Sequence, residues 1–185
     1  ICRKCKKPSC IHPVVCKNLN ADHAPLLELY READKVPGIK KTFIGSGVRY
    51  DLLLHSYDNE ALRTAAREYT EELIKHHVSG RLKVAPEHTE EHVLKVMRKP
   101  SFAQFETFRK IFDRINKENG LKQQLIPYFI SSHPGCSAVH MAELAVKTKQ
   151  QNFHLEQVQD FTPTPMTVAT EIFYTGFHPY TLEKL

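Results

Sequence analysis

The sequence has no tryptophan, three methionines and no long uninterrupted apolar run. A transmembrane helix needs about 20 consecutive apolar residues, so none is predicted. The first residues also lack the apolar core of a signal peptide, and we therefore expect a cytosolic protein with no membrane partner. Basic residues outnumber acidic ones by 26 to 21, and the resulting net charge of +5 is too small to indicate nucleic-acid binding by itself.

The length of 185 residues is that of one domain large enough for a hydrophobic core. Hydrophobic residues make up 41% and charged residues 25%, which is ordinary for a globular protein. The chain begins at Ile1 rather than Met and ends at Leu185. We therefore expect it to be an excised part of a longer protein.

Four short apolar segments predict β-strands, near residues 41–45, 81–85, 125–130 and 155–161. Amphipathic helical sequence follows three of them, which is typical of successive βα units with parallel strands. Pro127 lies inside the third segment and indicates an edge strand or a bulge there, because proline has no backbone N–H. The sequence thus predicts an α/β fold.

The stretch Arg81–Pro100 contains a strand, a polar corner and a helix in succession. Glu87 and His88 form the corner, and Thr89 stands where an N-cap would open the helix. Ligands bind at the carboxyl ends of parallel strands, so this corner is a candidate active-site position. The alternative is that both residues only cap the turn.

Two other corners have the same position after a predicted strand. Ser131, Ser132 and His133 follow the third strand, and Ser137 is a candidate helix N-cap. After the first strand, glycines flank Ser46 and allow the backbone to approach a ligand closely. Arg49 could hold a carboxylate in a bidentate manner or simply pair with a neighbouring aspartate.

Further helix signals come from periodicity and caps. Asp58 or Asn59 is expected to cap a helix, and Ser101 with Gln104 is expected to form a capping box. A stripe of apolar side chains follows Ser101, and we expect it to face the core rather than to stack bases; it comprises Phe102, Phe105, Phe108, Ile111, Phe112 and Ile115.

The N-terminal segment groups four cysteines, Cys2, Cys5, Cys10 and Cys16, among basic residues. Four thiols so close together can bind zinc or hold an iron–sulfur cluster, and nearby cations would favour the thiolate form. Disulfides are disfavoured in the cytosol, but four unligated thiols remain an alternative. His12 or His23 could replace Cys16 as a ligand. Cys136 lies far along the chain and is assigned to separate chemistry.

Four segments taken together resemble the YgiQ-like radical S-adenosylmethionine (radical SAM) proteins, a family of unassigned reaction. They are GSGVRYDLLLH, RLKVAPEHT, LIPYFISSHPGC and QVQDFTPTPMTVAT, and the similarity extends over the whole chain. It implies a partial (β/α) TIM-like barrel with parallel strands. Residues 1–24 would be a Cys-rich basic segment with a possible metal site, and residues 25–185 would be the later βα units.

The resemblance implies a parent enzyme that cleaves S-adenosylmethionine reductively to a 5′-deoxyadenosyl radical, with the help of a [4Fe–4S] cluster and an electron donor. The C-x3-C-x2-C spacing that holds this cluster in the superfamily is absent here. We therefore expect it in a missing N-terminal half, upstream of Ile1, and expect this chain alone to be inactive. The cofactor-pocket walls would come from Ser46, Arg49, Glu87, Arg98, Ser131, Ser132 and Gln157, with Arg98 as a candidate partner of the methionine carboxylate; the contact made by His88 stays open.

Three further hypotheses accompany this one. The chain could be a zinc-anchored binding module that docks RNA or a protein through Cys2–Cys16 and the surrounding lysines. It could also be a small α/β domain with a purely structural role. Finally, the open edges of a half barrel lead us to expect either self-association or coverage of those edges by the terminal segments.

Overall fold

The computed structural model describes residues 2–7, 9–153, 155 and 158–185, without the side chain of Cys2. A short 3-10 helix at Cys2–Lys4 begins the described chain. Helices α1–α7 span Ala24–Asp34, Tyr50–Leu53, Glu60–His76, Glu91–Met97, Phe102–Glu118, Ala138–Gln150 and Val168–Thr175. Strands β1–β3 span Arg81–Glu87, Gln124–Ser131 and Val158–Asp160.

The three strands form one open parallel sheet in the order β1-β2-β3. Helices α4 and α5 connect β1 to β2, and α6 connects β2 to β3. The parallel α/β prediction is therefore confirmed for these strands. The sheet is small and open, and its carboxyl edge gathers the ends of β1, β2 and β3 on one side of the molecule.

The strand predicted at residues 41–45 is wrong, because this segment is an irregular loop. The Ile44 N–H donates to His77 O at 2.8 Å, and Val48 makes a single parallel bridge to Val84 of β1. A Cβ on Gly47 would lie 3.2 Å from Lys83 O, so the backbone of this loop runs directly against the backbone of β1. Gly45 and Gly47 supply no side chains for a pleated surface, which weakens strand pairing.

Pro127 lies in the central strand β2, so the prediction of an edge strand is wrong. The predicted irregularity is confirmed, because the β1–β2 register shifts between Val84 and Glu87, next to the pair Val84–Pro127. Proline has no N–H and cannot donate a hydrogen bond to the adjacent strand. The neighbouring strand β1 bulges next to the position where that hydrogen bond is missing.

The aromatic stripe of α5 is core, as expected. Phe102, Phe105, Phe108, Phe112 and Ile115 are almost fully buried. They belong to one cluster with residues of the sheet, among them Leu82, Val84 and Phe129. Burial of each such side chain is worth about 1.5–3 kcal/mol, so α5 and the sheet together stabilise the carboxyl edge.

The helix caps agree only in part with the sequence predictions. Asn59 accepts from Ala61 N at 2.8 Å, and Ser137 forms a capping box with His140. Thr89 is not the N-cap of α4, because that position is Glu90. Ser101 does occupy the N-cap of α5 but makes no side-chain cap bond, so the predicted capping box is absent. The Glu91 carboxylate accepts from the Phe102 N–H at 3.1 Å instead.

Candidate functional site

Glu87 ends β1 with a left-handed backbone (φ 68°) and is 7% exposed. This conformation is uncommon for a residue other than glycine. Lys99 Nζ donates to Glu87 Oε1 at 2.8 Å, whereas Oε2 is buried and, among the described residues, has no hydrogen-bond partner. A buried acceptor without a partner is costly, by about 1–3 kcal/mol, and it therefore indicates a place where a ligand or water donates.

A cleft of about 340 Å³ opens beside Glu87 at the carboxyl edge of the sheet. Its polar wall includes Glu87, Lys99, His133 and Asp160 together with several threonines. Its apolar wall comprises Met97, Ile130, Phe161 and Ala169. Ligand sites commonly combine a largely apolar lining with a few convergent polar groups, as here.

His133 is a buried, neutral member of this cleft. Its Nδ1–H donates to Pro134 O at 2.9 Å, which leaves Nε2 unprotonated. Burial lowers the pKa of His133, and Phe161 packs edge-on against its ring at 5.1 Å. In the described part of the chain Nε2 has no hydrogen-bond partner. Two residues that line the cleft thus carry an acceptor with no partner in the described part of the chain, Glu87 Oε2 and His133 Nε2.

Ser131 reaches the same region indirectly. Its hydroxyl is hydrogen-bonded to Asp160 Oδ1, and Asp160 lines the cleft from the end of β3. Ser132 is exposed with φ 59°, at the turn that leads to His133. The structure therefore brings Glu87 and the Ser131–Asp160 pair to one site, as expected for adjacent parallel strands.

His88 is fully buried and contacts Cys136. The Glu90 N–H donates to His88 Nδ1 at 3.0 Å, so the ring proton is on Nε2, which lies 3.4 Å from Cys136 Sγ. Burial lowers the pKa of His88 to about 4, and burial also raises the pKa of the Cys136 thiol. At neutral pH the pair is a neutral imidazole donating to a thiol.

The two predicted arginines lie in a second cleft, also about 340 Å³, with His12 and Lys99. Arg49 Nε donates to Asp51 Oδ1 at 2.9 Å, which matches the simpler interpretation of this arginine. Arg98 ends α4 in a left-handed conformation (φ 56°). Neither arginine lines the Glu87 cleft; Lys99 lies between the two clefts and lines both.

Ser46, another predicted cofactor residue, does not line the Glu87 cleft. Ser46 is exposed in the loop beside β1, and Gln157 lies outside the described residues. For Ser46, Arg49, Arg98 and Gln157 the cofactor role stays a prediction.

The Cys-rich segment forms a loop closed by a backbone bond from Cys16 N to Cys10 O at 2.7 Å. Cys5, Cys10 and Cys16 are free thiols, and the side chain of Cys2 lies outside the description. Among the described residues no group of three or more His, Cys, Asp or Glu side chains is arranged to hold a metal. The metal site therefore stays a prediction.

The sequence placed His133 in a polar corner but gave it no role, and Lys99 and Asp160 were not among the predicted site residues. Lys99 and Arg98 are both basic residues before Pro100, and no local signal distinguishes which one turns towards Glu87. His133 and Asp160 carried a usable signal, since polar residues at the ends of adjacent parallel strands meet at one edge.

No helix in the described part of the chain is long and apolar enough to cross a membrane. No protein-family model matches the sequence, and no solved structure matches it.

Close relatives among curated proteins are much longer than this chain. A UPF0313 protein of Bacteroides thetaiotaomicron is 73% identical over all 185 residues, which cover 30% of that protein. A UPF0313 protein of Porphyromonas gingivalis is 69% identical over the same residues, 29% of its length. One from Chromobacterium violaceum is 48% identical over 177 residues, 96% of this chain and 22% of that protein. Along its whole length this chain is thus similar to one part of the UPF0313 proteins, and it spans about three tenths of the first two.

Proposed function

We propose that this chain forms the later βα units of a radical S-adenosylmethionine barrel within a longer enzyme. The observation that carries the proposal is Glu87, which lines a cleft at the carboxyl edge of a parallel sheet and whose buried Oε2 has no hydrogen-bond partner within the described chain. The parallel order of β1, β2 and β3, with helices between them, supports it. The greater length of the relatives agrees with an enzyme of which this is one part.

The Glu87 cleft suits S-adenosylmethionine chemically. That molecule carries an ammonium group, ribose hydroxyls and an adenine amino group, all of which donate hydrogen bonds. Glu87 Oε2 and His133 Nε2 would accept from such donors, while Met97, Ile130 and Phe161 would contact its apolar parts. Lys99 would hold the Glu87 side chain in place through its bond to Oε1.

The [4Fe–4S] cluster would be held elsewhere in the longer polypeptide, since these 185 residues contain no C-x3-C-x2-C spacing. When bound, the cluster supplies the electron for reductive cleavage of S-adenosylmethionine, and an electron donor would be a required partner. The residues described here would bind and orient the cofactor and exclude water from its pocket.

The test uses the longer protein that contains this chain, purified without oxygen. With dithionite and S-adenosylmethionine, we expect release of 5′-deoxyadenosine, measured by mass spectrometry. Glu87→Gln is expected to weaken binding of S-adenosylhomocysteine by roughly tenfold, because a charge-assisted hydrogen bond is lost. Glu143→Gln changes an exposed glutamate and serves as the control. A protein that carries its cluster but neither binds the analogue nor releases 5′-deoxyadenosine would refute the proposal.

A further inference from the structure

The net positive charge of the chain is confined to its first 17 residues. Five of the 26 basic residues lie there, and all 21 acidic residues come later, which leaves 21 basic against 21 acidic over the rest. All five are exposed and, within the described structure, none forms an ion pair; they are Arg3, Lys4, Lys6, Lys7 and Lys17. We call this set the basic segment.

A cleft of about 530 Å³ lies between residues 9–13, which are flanked in sequence by the basic segment, and the C-terminal residues. Ser9, His12 and Pro13 line one side, and His178, Tyr180 and Thr181 line the other, with Lys95 and Arg98 of the α4 region also in its wall. Glu183 is the carboxylate in this wall, and Thr181 donates to it at 3.1 Å.

Tyr180 is an exposed aromatic side chain in this cleft, with 65% of its surface accessible. The Arg98 guanidinium carbon lies 5.1 Å from the centre of its ring. A tyrosine ring that is open to solvent on a basic surface is a platform on which a flat ligand can stack, and the adjacent cation strengthens such contacts.

Further basic side chains lie near Arg98, in the neighbouring cleft. His12 and Arg98 also line the second cleft, which adds Arg49 and Lys99. The two clefts therefore meet at His12 and Arg98, so Arg49 and Lys99 extend the set of cations around the Tyr180 cleft beyond Lys95 and Arg98.

We propose that this surface binds single-stranded nucleic acid, with a base stacked on Tyr180 and phosphates contacted by the basic segment, Lys95 and Arg98. Unpaired exposed cations supply the phosphate contacts. The accessible Tyr180 ring can stack on a base of a single strand, whereas the bases of a duplex are already stacked on one another. An acidic peptide or an anionic membrane would use the cations but would gain nothing specific from the Tyr180 ring.

The experiment measures fluorescence anisotropy of the 185-residue chain with a labelled single-stranded RNA of about 12 nucleotides, from about 50 to 200 mM salt. Binding is expected to weaken steeply with salt. The triple variant Lys6→Gln/Lys7→Gln/Lys17→Gln should make the slope of log K against log salt less steep by about 2, since each phosphate contact contributes about 0.7. Lys110→Gln/Lys122→Gln/Lys149→Gln removes three exposed lysines that line neither cleft and should leave the slope unchanged.

A second pair of variants separates stacking from charge. Tyr180→Ala should weaken binding roughly 5- to 150-fold, and Tyr180→Phe should retain it. The duplex form of the same RNA should compete poorly. The proposal is overturned if no binding is seen at the lowest salt, if Tyr180→Ala binds as well as the parent, or if duplex RNA or anionic lipid vesicles compete as well as the single strand.

Discussion

Lys99 Nζ donates a 2.8 Å hydrogen bond to Glu87 Oε1, although helix α4 separates the two residues in sequence. Glu87 is the last residue of β1, and Lys99 follows the left-handed Arg98 that ends α4. The ion pair closes the strand–helix corner and leaves the second carboxylate oxygen buried, without a partner among the residues that the structure describes. One oxygen of the carboxylate is thus anchored, while the residue itself lines the cleft.

Replacing Lys99 by Met is expected to lower the free energy of unfolding by about 2 kcal/mol, because the buried Glu87 carboxylate loses its cation. Urea unfolding at neutral pH measures the change. In the Lys99→Met background, Glu87→Gln should recover part of the loss, since the uncompensated charge is removed. If the double variant is less stable than Lys99→Met alone, the ion pair does not explain the loss.

His88 predicts a loss of stability on acidification. Its pKa is about 4 in the folded chain, below the ordinary value of 6.5, because burial disfavours the charged ring. The unfolded chain therefore takes up a proton first as the pH falls through 6.5, and the free energy of unfolding should drop by about 2 kcal/mol between about pH 7.5 and pH 5.

Urea unfolding of the parent and of His88→Asn at both pH values isolates this contribution. The free energy of unfolding of the variant should decrease less. The remaining decrease is due to other histidines, such as the buried His133 and the half-buried His23, whose pKa values burial also lowers. An equal decrease in both proteins would show that His88 is not the group being titrated.

The two glycines of the loop beside β1 should respond differently to alanine. A Cβ on Gly47 would lie 3.2 Å from Lys83 O, whereas a Cβ on Gly45 would meet nothing within 4 Å. Gly47→Ala is expected to cost about 1–2 kcal/mol through displacement of the loop from β1. Gly45→Ala should be within about 0.5 kcal/mol of the parent. Thermal and urea unfolding give both values, and equal effects would contradict the close approach.

The Cys-rich segment is expected to bind one zinc ion or one iron–sulfur cluster per chain. Closely spaced thiolates need a cation, since their mutual repulsion otherwise keeps them protonated. Each protein is reconstituted without oxygen, with zinc or with iron and sulfide, and the metal per chain is measured. The metal content should fall sharply in Cys5→Ser/Cys10→Ser. It should stay unchanged in Cys136→Ser, because the Cys136 sulfur contacts His88 instead. Equal, substoichiometric metal in all three proteins would rule out the site.

Local patterns were sufficient for the regular elements. The apolar runs at β1 and β2 and the α5 stripe predicted buried strands and a buried helix face, because side-chain periodicity is fixed by local geometry. The polar corners at Glu87 and Ser131 were also predictable, since strand ends carry residues that no longer pack in the core. The same logic failed at residues 41–45, which form an irregular loop; the isolated bridge to β1 lies beyond this segment, at Val48.

What the sequence by itself determined is therefore the parallel α/β frame and the position of its polar corners. Only the tertiary structure decided which side chains meet: Lys99 rather than Arg98 contacts Glu87, Arg98 lies over Tyr180, and His88 contacts Cys136, 48 residues away. The physical reason is that the left-handed Arg98 turns the chain at the end of α4, so that Lys99 reaches Glu87 while Arg98 packs over Tyr180. Contacts between distant residues depend on how the elements pack, which no local pattern specifies.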